Sequence, residues 1–294
     1  MTVYSQFFGL KENPFGETPD TRFFFSAEPH TAALKKLAWM LAHNKGFALL
    51  TGDVGTGKTL LCRMLLRTLS KKANTALILH PQLQPLEMLS AIAEDFGISV
   101  TGKEAQRSST ISGLLQKLNS FFLSEAANGR KSILVIDDAQ GLPTETLETL
   151  RLLSNLETET DKLLQIILIA QPEIEERLQE HRLRQVAQRI SVRTALVELD
   201  LAGTAEYLHH RIAVAGGANL ARFDTKAVKA IFVASGGVPR LINRYAEACM
   251  EMAEAKQWHL IGANLVREAV KRDTYKEPLR RGGLFGLFSG ERAG

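Results

Sequence analysis

Gly52-Asp-Val-Gly-Thr-Gly-Lys58-Thr59 follows a short apolar run, Phe47-Ala-Leu-Leu-Thr51, and opens an amphipathic stretch that continues to Leu69. The octapeptide has the form G-x-x-x-x-G-K-[ST]. Glycines in that pattern let the backbone wrap closely around phosphates. Successive N–H groups and the helix N-terminus then bind the anion. Lys58 would reach the β- and γ-phosphates, and the Thr59 hydroxyl would ligate Mg²⁺. The expected nucleotide cradle is Gly52, Asp53, Val54, Gly55, Thr56, Gly57, Lys58, Thr59 and Leu60, with ATP and Mg²⁺ as cofactors. A glycine-rich turn without a ligand is the competing reading. A buried strand before the motif and a helix after it argue against that.

Working outward, strand and helix signals alternate. Continuous apolar runs at 75–79, 132–136 and 163–170 read as strands buried on both faces. Between them, helical stretches are expected near 86–95, 110–124 and 143–156. Upstream, Ser26 reads as an N-cap with Glu28 in the first turn. Leu34, Leu37, Ala38 and Leu41 then form one stripe, and Gly46 is expected to end that helix. The class implied is α/β, a P-loop parallel sheet sandwiched by helices. After Leu201 strand signals vanish and helices are expected at 203–214, 225–234, 238–255 and 262–272, a small all-α lid. The expected division is an aromatic-rich segment 1–25, a nucleotide-binding domain 26–200, a lid 201–274, and a basic, flexible tail 275–294.

Composition narrows the class. The 294 residues suit about two domains. With 45% hydrophobic and 23% charged residues and a mean hydropathy of −0.05, the chain is an ordinary globular one. No apolar run approaches the ~18 residues of a membrane span, and the first residues lack the basic and apolar regions of a signal peptide. Two cysteines, Cys62 and Cys249, argue against a disulfide framework and fit a reducing, cytoplasmic compartment. The net charge is +4, and Arg267 to Gly294 holds seven Lys/Arg against four Asp/Glu. The body is therefore near neutral, which excludes a basic nucleic-acid coat but not a basic tail.

Ile133-Leu-Val-Ile-Asp137-Asp138 places two carboxylates where a buried strand meets the edge of the sheet, the edge where open α/β sheets bind ligands. The pattern resembles a Walker B motif. Asp137 would hold the Mg²⁺ hydration shell and Asp138 would polarise the attacking water. An Asp pair can also be a turn signal after a strand. Most ATPases of this kind carry Glu at the second position. Asp is a methylene shorter, and a misplacement of about 1 Å can cost on the order of 10²-fold in rate.

Together, Phe8-Gly-Leu10, Asn13-Pro-Phe15, GDVGTGKT, IDDAQ, LRLLSNLETE, LLQIILIAQPE, LRQVAQRI and GGVPRLIN resemble the AAA+ ATPases of the general secretion pathway A type. The larger members continue into a membrane span and a peptidoglycan-binding domain. The expectation here is the short form associated with MSHA-type pilus systems. The resemblance implies that Gln171, at a strand end, is sensor 1 and that Arg240, in Gly-Gly-Val-Pro-Arg, is sensor 2. It further implies a trans-acting arginine finger, Arg189 in first place and Arg184 in second. Such a finger requires self-assembly into a ring or filament, a hexamer among the options. Implied partners are secretion or pilus assembly proteins, with attachment at the inner membrane as a peripheral protein.

Other signals are weaker. His209-His210 are adjacent, point about 100° apart on a helix and lack further ligands, so a solvated or capping pair is expected. His30 reads equally as a packed histidine or a nucleotide contact. Leu284-Phe285 and Leu287-Phe288 among tail arginines suit either a docking peptide or a tail without a role. A DNA transaction such as transposition target selection is the second choice. Lys71-Lys72 and Arg182-x-Arg184 keep it open. A slow, ATP-gated binding module is the third.

Overall fold

The computed structural model describes residues 3–16, 18–69, 73–79, 81–100, 110–159, 161–217 and 221–273. The tail 275–294 and the Lys71-Lys72 pair lie outside them. The chain forms two units.

Gly16–Leu199 is built on five parallel strands: β1 Phe47–Gly52, β2 Ala73–Ile78, β3 Lys131–Ile136, β4 Leu164–Ala170 and β5 Val192–Leu196. Their order is β2-β3-β4-β1-β5. Side chains alternate between faces along a strand, so each buried run feeds two cores. Phe47, Leu49, Leu134, Ile136, Ile166 and Leu168 pack beneath the helices Pro85–Asp95, Ile111–Ala127 and Thr144–Leu153. Ala48, Leu50, Ile133, Val135, Ile167 and Ile169 pack beneath Glu28–Ala42 and Lys58–Leu69. The expected sandwich is therefore present.

Three local expectations change. Ala27, not Ser26, is the N-cap of Glu28–Ala42, and Pro29 occupies its first turn, where a missing N–H costs nothing. Gly46 does not end that helix. Gln165, buried in β4, donates to the Met40 and Leu41 carbonyls at 3.3 Å, and the Lys131 ammonium reaches the Leu41 carbonyl at 2.7 Å. Two side chains thus satisfy the helix's terminal acceptors. Finally, β5 carried no continuous apolar run to announce it. It is an edge strand whose Val192, Thr194 and Leu196 are buried while Arg193 and Ala195 are exposed.

The second unit joins the described residues up to Phe15 to those from Asp200 to Asp273. Its helices are Leu201–Val214, Thr225–Ser235, Pro239–Ala255 and Ala263–Arg272, with a two-residue parallel pairing, Arg222–Phe223 against Leu260–Ile261, that the sequence did not signal. The expected separate segment 1–25 is divided. Described residues before Gly16 belong to this helical core, where their aromatic and amide side chains find partners. Phe8 and Phe15 are fully buried, and Phe7 stacks on His259 with ring centroids 4.8 Å from Phe8 and 4.3 Å from His259. The Asn13 amide donates to Glu247 at 2.6 Å while its carbonyl accepts from Tyr4 at 2.7 Å. Buried Arg211 donates to the Pro14 carbonyl and, at 3.3 Å, to the Tyr207 hydroxyl. Arg211→Met should therefore destabilise this unit by about 2 kcal/mol, because a charge-assisted bond is lost and the Pro14 carbonyl is left unpaired. Hydrogen exchange of the Leu201–Val214 amides reads this; unchanged protection would mean that the guanidinium does not tie the two segments together.

Candidate functional site

Sheet order places the site. The carboxyl ends of β1, β4 and β3 are consecutive neighbours, so the phosphate loop, Gln171 and the Asp137-Asp138 pair share one edge.

The loop leaves β1 at Gly52. A Cβ there would sit 2.6 Å from the Leu196 carbonyl of β5, so only glycine fits. Gly55 and Gly57 have φ of +83° and +97°, the conformation glycine adopts without strain. Thr56 is fully buried and its hydroxyl donates to the Asp53 carbonyl at 2.8 Å. Lys58 is also buried, and its ammonium donates to the carbonyls of Gly52 at 2.7 Å and Asp53 at 2.8 Å. Burial lowers its pKa; the carboxylates of Asp137, Asp138, Asp53 and Glu173 oppose that shift. The cation is thus held inside the curve of the loop by the loop itself. Val54 is exposed, and Leu60 follows on the first turn of Lys58–Leu69.

His30 lies behind this loop. Its Nε2 is 3.2 Å from the Thr56 carbonyl, and the Phe24 ring meets it edge-on. The packed reading of this histidine is the one the geometry supports. Burial lowers its pKa, with the Thr56 contact opposing. The folded protein therefore keeps His30 neutral where the unfolded chain, with an ordinary value of about 6.5, takes up a proton. The stability this provides is complete above pH 6.5 and falls as the pH drops below it, by at most about 1.4 kcal/mol per pH unit. Chemical denaturation at stepped pH should show that slope, and His30→Gln should flatten it.

Across the edge, the Thr59 hydroxyl donates to Asp137 Oδ2 at 2.5 Å. Asp137 Oδ1 accepts the Asp138 N–H at 2.9 Å, and the Asp137 N–H is bonded to the Ile78 carbonyl of β2. Asp138 itself adopts φ 53°, ψ 34°. Among non-glycine residues Asp and Asn enter that region most readily, so the shorter carboxylate suits the backbone it occupies. Its Oδ1 accepts from Gln140 Nε2 at 3.3 Å, and Gln140 Oε1 accepts the Gln171 N–H at 3.1 Å. One amide thereby joins the second carboxylate to the end of β4. Arg177 locks the same turn by donating to the Gln140 carbonyl and, at 2.9 Å, to the Leu142 carbonyl. Asp138, Gln140 and Gln171, with Gln82, line a cavity of about 290 Å³.

The donor set fits a nucleotide-bound Mg²⁺. Thr59 and Asp137 offer hard oxygens side by side. Among the described residues no group of three His, Cys, Asp or Glu could hold a metal alone. Mg²⁺ characteristically takes one or two protein ligands and completes its shell with phosphates and water. His209 and His210 belong to no such group either.

Other expected residues are placed elsewhere. Arg184 and Arg189 are the exposed ends of a short helix, Arg184–Arg189, and among the described residues neither forms an ion pair. Arg189 contributes to holding the Glu157 carboxyl below its usual range, after the larger effects of Lys162. Arg240 is exposed in the first turn of Pro239–Ala255, with Pro239 opening that helix as the sequence indicated. It belongs to the helical unit. Cys62 and Cys249 are buried free thiols; burial raises both, Cys249 to about 12. They are inert hydrophobic filling. Sequence reasoning gave no role to Gln140 or Arg177. Position alone could have suggested Gln140, two residues past Asp138. Arg177 is found only once the fold closes.

A parallel sheet in this order, with this loop and acidic strand end, is that of a P-loop NTPase of the AAA+ class. Residues 41–178 match the model of an AAA domain. Over 259 residues the chain is 39% identical to general secretion pathway protein A of Aeromonas hydrophila, a match covering 88% of this chain and 46% of that protein. The chain thus has the fold of AAA+ P-loop NTPases and is related to general secretion pathway protein A, spanning about half the length of that relative. Solved structures share the fold at low identity. The ORC2 protein of Aeropyrum pernix, in ADPNP–ADP complexes, aligns with a TM-score of 0.62 at 17% identity, covering 87% of this chain and 72% of its own. Cdc6p of Pyrobaculum aerophilum aligns with a TM-score of 0.64 at 18% identity, covering 86% and 70%. Among the described residues no helix is long and apolar enough to cross a membrane.

Proposed function

We propose that the chain binds and hydrolyses ATP with Mg²⁺ and couples that cycle to assembly or remodelling of an envelope machine, of secretion or pilus type. The observation that carries the chemistry is the convergence of Lys58, Thr59, Asp137, Asp138 and Gln171 on one sheet edge. The relationship to general secretion pathway protein A supports the setting. Lys58 is suited to neutralise charge on the β- and γ-phosphates, and Asp138 to polarise a water for in-line attack. Thr59 and Asp137 would hold the Mg²⁺, which when bound supplies further charge neutralisation. Gln171 would contact the γ-phosphate or the water. In this reading residues 26–200 are the catalytic body and 201–274 the lid, the latter completed by the first fifteen residues and carrying Arg240 as sensor 2. Attachment is peripheral, on the cytoplasmic face of the inner membrane.

Exposure of Arg189 and Arg184 supports a finger acting on a neighbouring copy. Specific ATPase activity should then rise with protein concentration, and Arg189→Ala should lower it by about 10³-fold. Phosphate release measured across a concentration series tests both. A flat series and an indifferent variant would remove self-assembly from the mechanism.

One observation favours the second reading, a DNA transaction. Trp39 is 49% exposed, stacked on His43 and flanked by Lys35, Lys36 and Arg193 around a shallow cavity. Aromatic stacking with nearby cations suits single-stranded nucleic acid. ATP-dependent DNA binding with a steep salt slope, lost in Trp39→Ala, would promote that reading over the first.

A further inference from the structure

We propose that the groove between helices Thr225–Ser235 and Ala263–Arg272 docks an acidic, amphipathic helical segment of a partner protein. This surface lies wholly within the helical unit and is independent of ATP hydrolysis.

The groove follows from the way each helix divides its faces. Ala227, Ile231 and Ser235 form the buried stripe of the first helix, and Leu265, Val266 and Ala269 that of the second. Each helix carries a further apolar row beside that stripe. Ala230, Val233 and Ala234 supply one wall; Ala263 and Val270 supply the other, with Val266 at the floor, enclosing about 640 Å³. Val233 is 66% exposed, more than any other large hydrophobic side chain among the described residues. The fold's own core does not require it there. Small side chains on both walls admit the close approach of a third helix, read by anchors at i, i+3, i+4 and i+7.

Charge defines the occupant. Lys226 and Lys229 stand on one rim, Arg267 and Lys271 on the other. Among the described residues none of the four forms an ion pair. Glu268, the acid on this stretch, is already taken by Lys256 and Arg272. Lys226 also lies in the first turn of its helix, an unfavourable place for a cation, and the N-cap acid Asp224 is already bonded to the Ala227 N–H at 2.6 Å. Local stability therefore does not account for it, whereas a carboxylate-rich ligand does. An apolar floor between two cationic rims is complementary to a helix with Leu or Ile on one face and Glu on its flanks. The chain's own residues 276–294 carry Lys276, Arg280, Arg281 and Arg292 against Glu277 and Glu291. They share the sign of the rims and are the poorer fit.

The probe is a fluorescein-labelled helical peptide with Leu at i, i+3, i+4 and i+7 and Glu at the flanking positions, titrated with the full chain by anisotropy. Its control is the same peptide with every Glu changed to Lys. The acidic peptide should bind at least about tenfold more tightly than the basic one. Lys229→Glu with Lys271→Glu should reverse the preference, and Val233→Asp should abolish binding. ATP binding and the melting temperature should be unaffected in these variants. Equal binding of the two peptides, or indifference to Val233→Asp, would overturn the proposal. So would an acidic peptide that binds only after residues 276–294 are removed, which would make the tail the occupant. Val233-dependent binding of vesicles with anionic lipids that displaces the peptide would also overturn it, assigning the groove to a membrane surface.

Discussion

Lys58→Ala is expected to lower steady-state ATP turnover by about 10²–10³-fold, the usual cost of removing one preorganised charge from a transition-state cradle. The geometry makes the effect larger than loss of a phosphate contact alone. The ammonium spans the Gly52 and Asp53 carbonyls from inside the loop, so the variant also loses the brace that holds the curve open. ATP affinity should fall with turnover. Lys58→Arg should rescue little, because a planar fork cannot place one compact charge between two carbonyls and a phosphate. Phosphate release together with fluorescent-nucleotide titration reads both quantities. Equal turnover in the variant and the parent chain would make the protein an ATP-gated binding module and remove hydrolysis from the proposed function.

Asp138→Asn is the second large effect, with the opposite signature. The amide keeps nearly the same shape and can still meet Gln140, but it cannot accept a proton. Turnover should fall by about 10²–10⁴-fold, the range of a general base, with ATP affinity essentially unchanged. Retained turnover would mean that another group polarises the water. The contrast between the variants separates binding from chemistry: one lowers both, the other only the rate.

Much of this site was legible before the fold was known, for a physical reason. The phosphate loop and the acidic strand end are local. Gly52, Gly55, Gly57, Lys58 and Thr59 work through backbone conformation and spacing within one turn, and Asp137-Asp138 through its place at the end of an apolar run. The central strands β1, β3 and β4 were legible for the same reason, because strands covered on both faces are largely apolar. The run at 75–79, read the same way, proves to belong to β2, an edge strand buried only at Ala76 and Ile78. What stayed hidden depends on long-range closure. The edge strand β5 is half polar and carries the signature of a solvated loop. Gln165, a polar interruption in β4, proves to cap a helix that the chain left long before. Gln140 and Arg177 acquire meaning only when the ends of β3 and β4 lie side by side. The aromatic start of the chain was readable as unusual. Its partners, Glu247, Arg211 and His259, are more than 190 residues away.

That last arrangement has a consequence for how the protein is made. Buried Phe8 and Phe15 leave the ribosome before the helices of their own unit, which begin at Leu201. At about 5–20 residues per second, the intervening stretch takes on the order of 10–40 s to translate. Throughout that interval the nucleotide unit can fold as a contiguous piece of chain while the aromatic leader waits without its core. Nascent chains stalled before residue 200 should therefore hold a protected phosphate loop beside a leader available to chaperones.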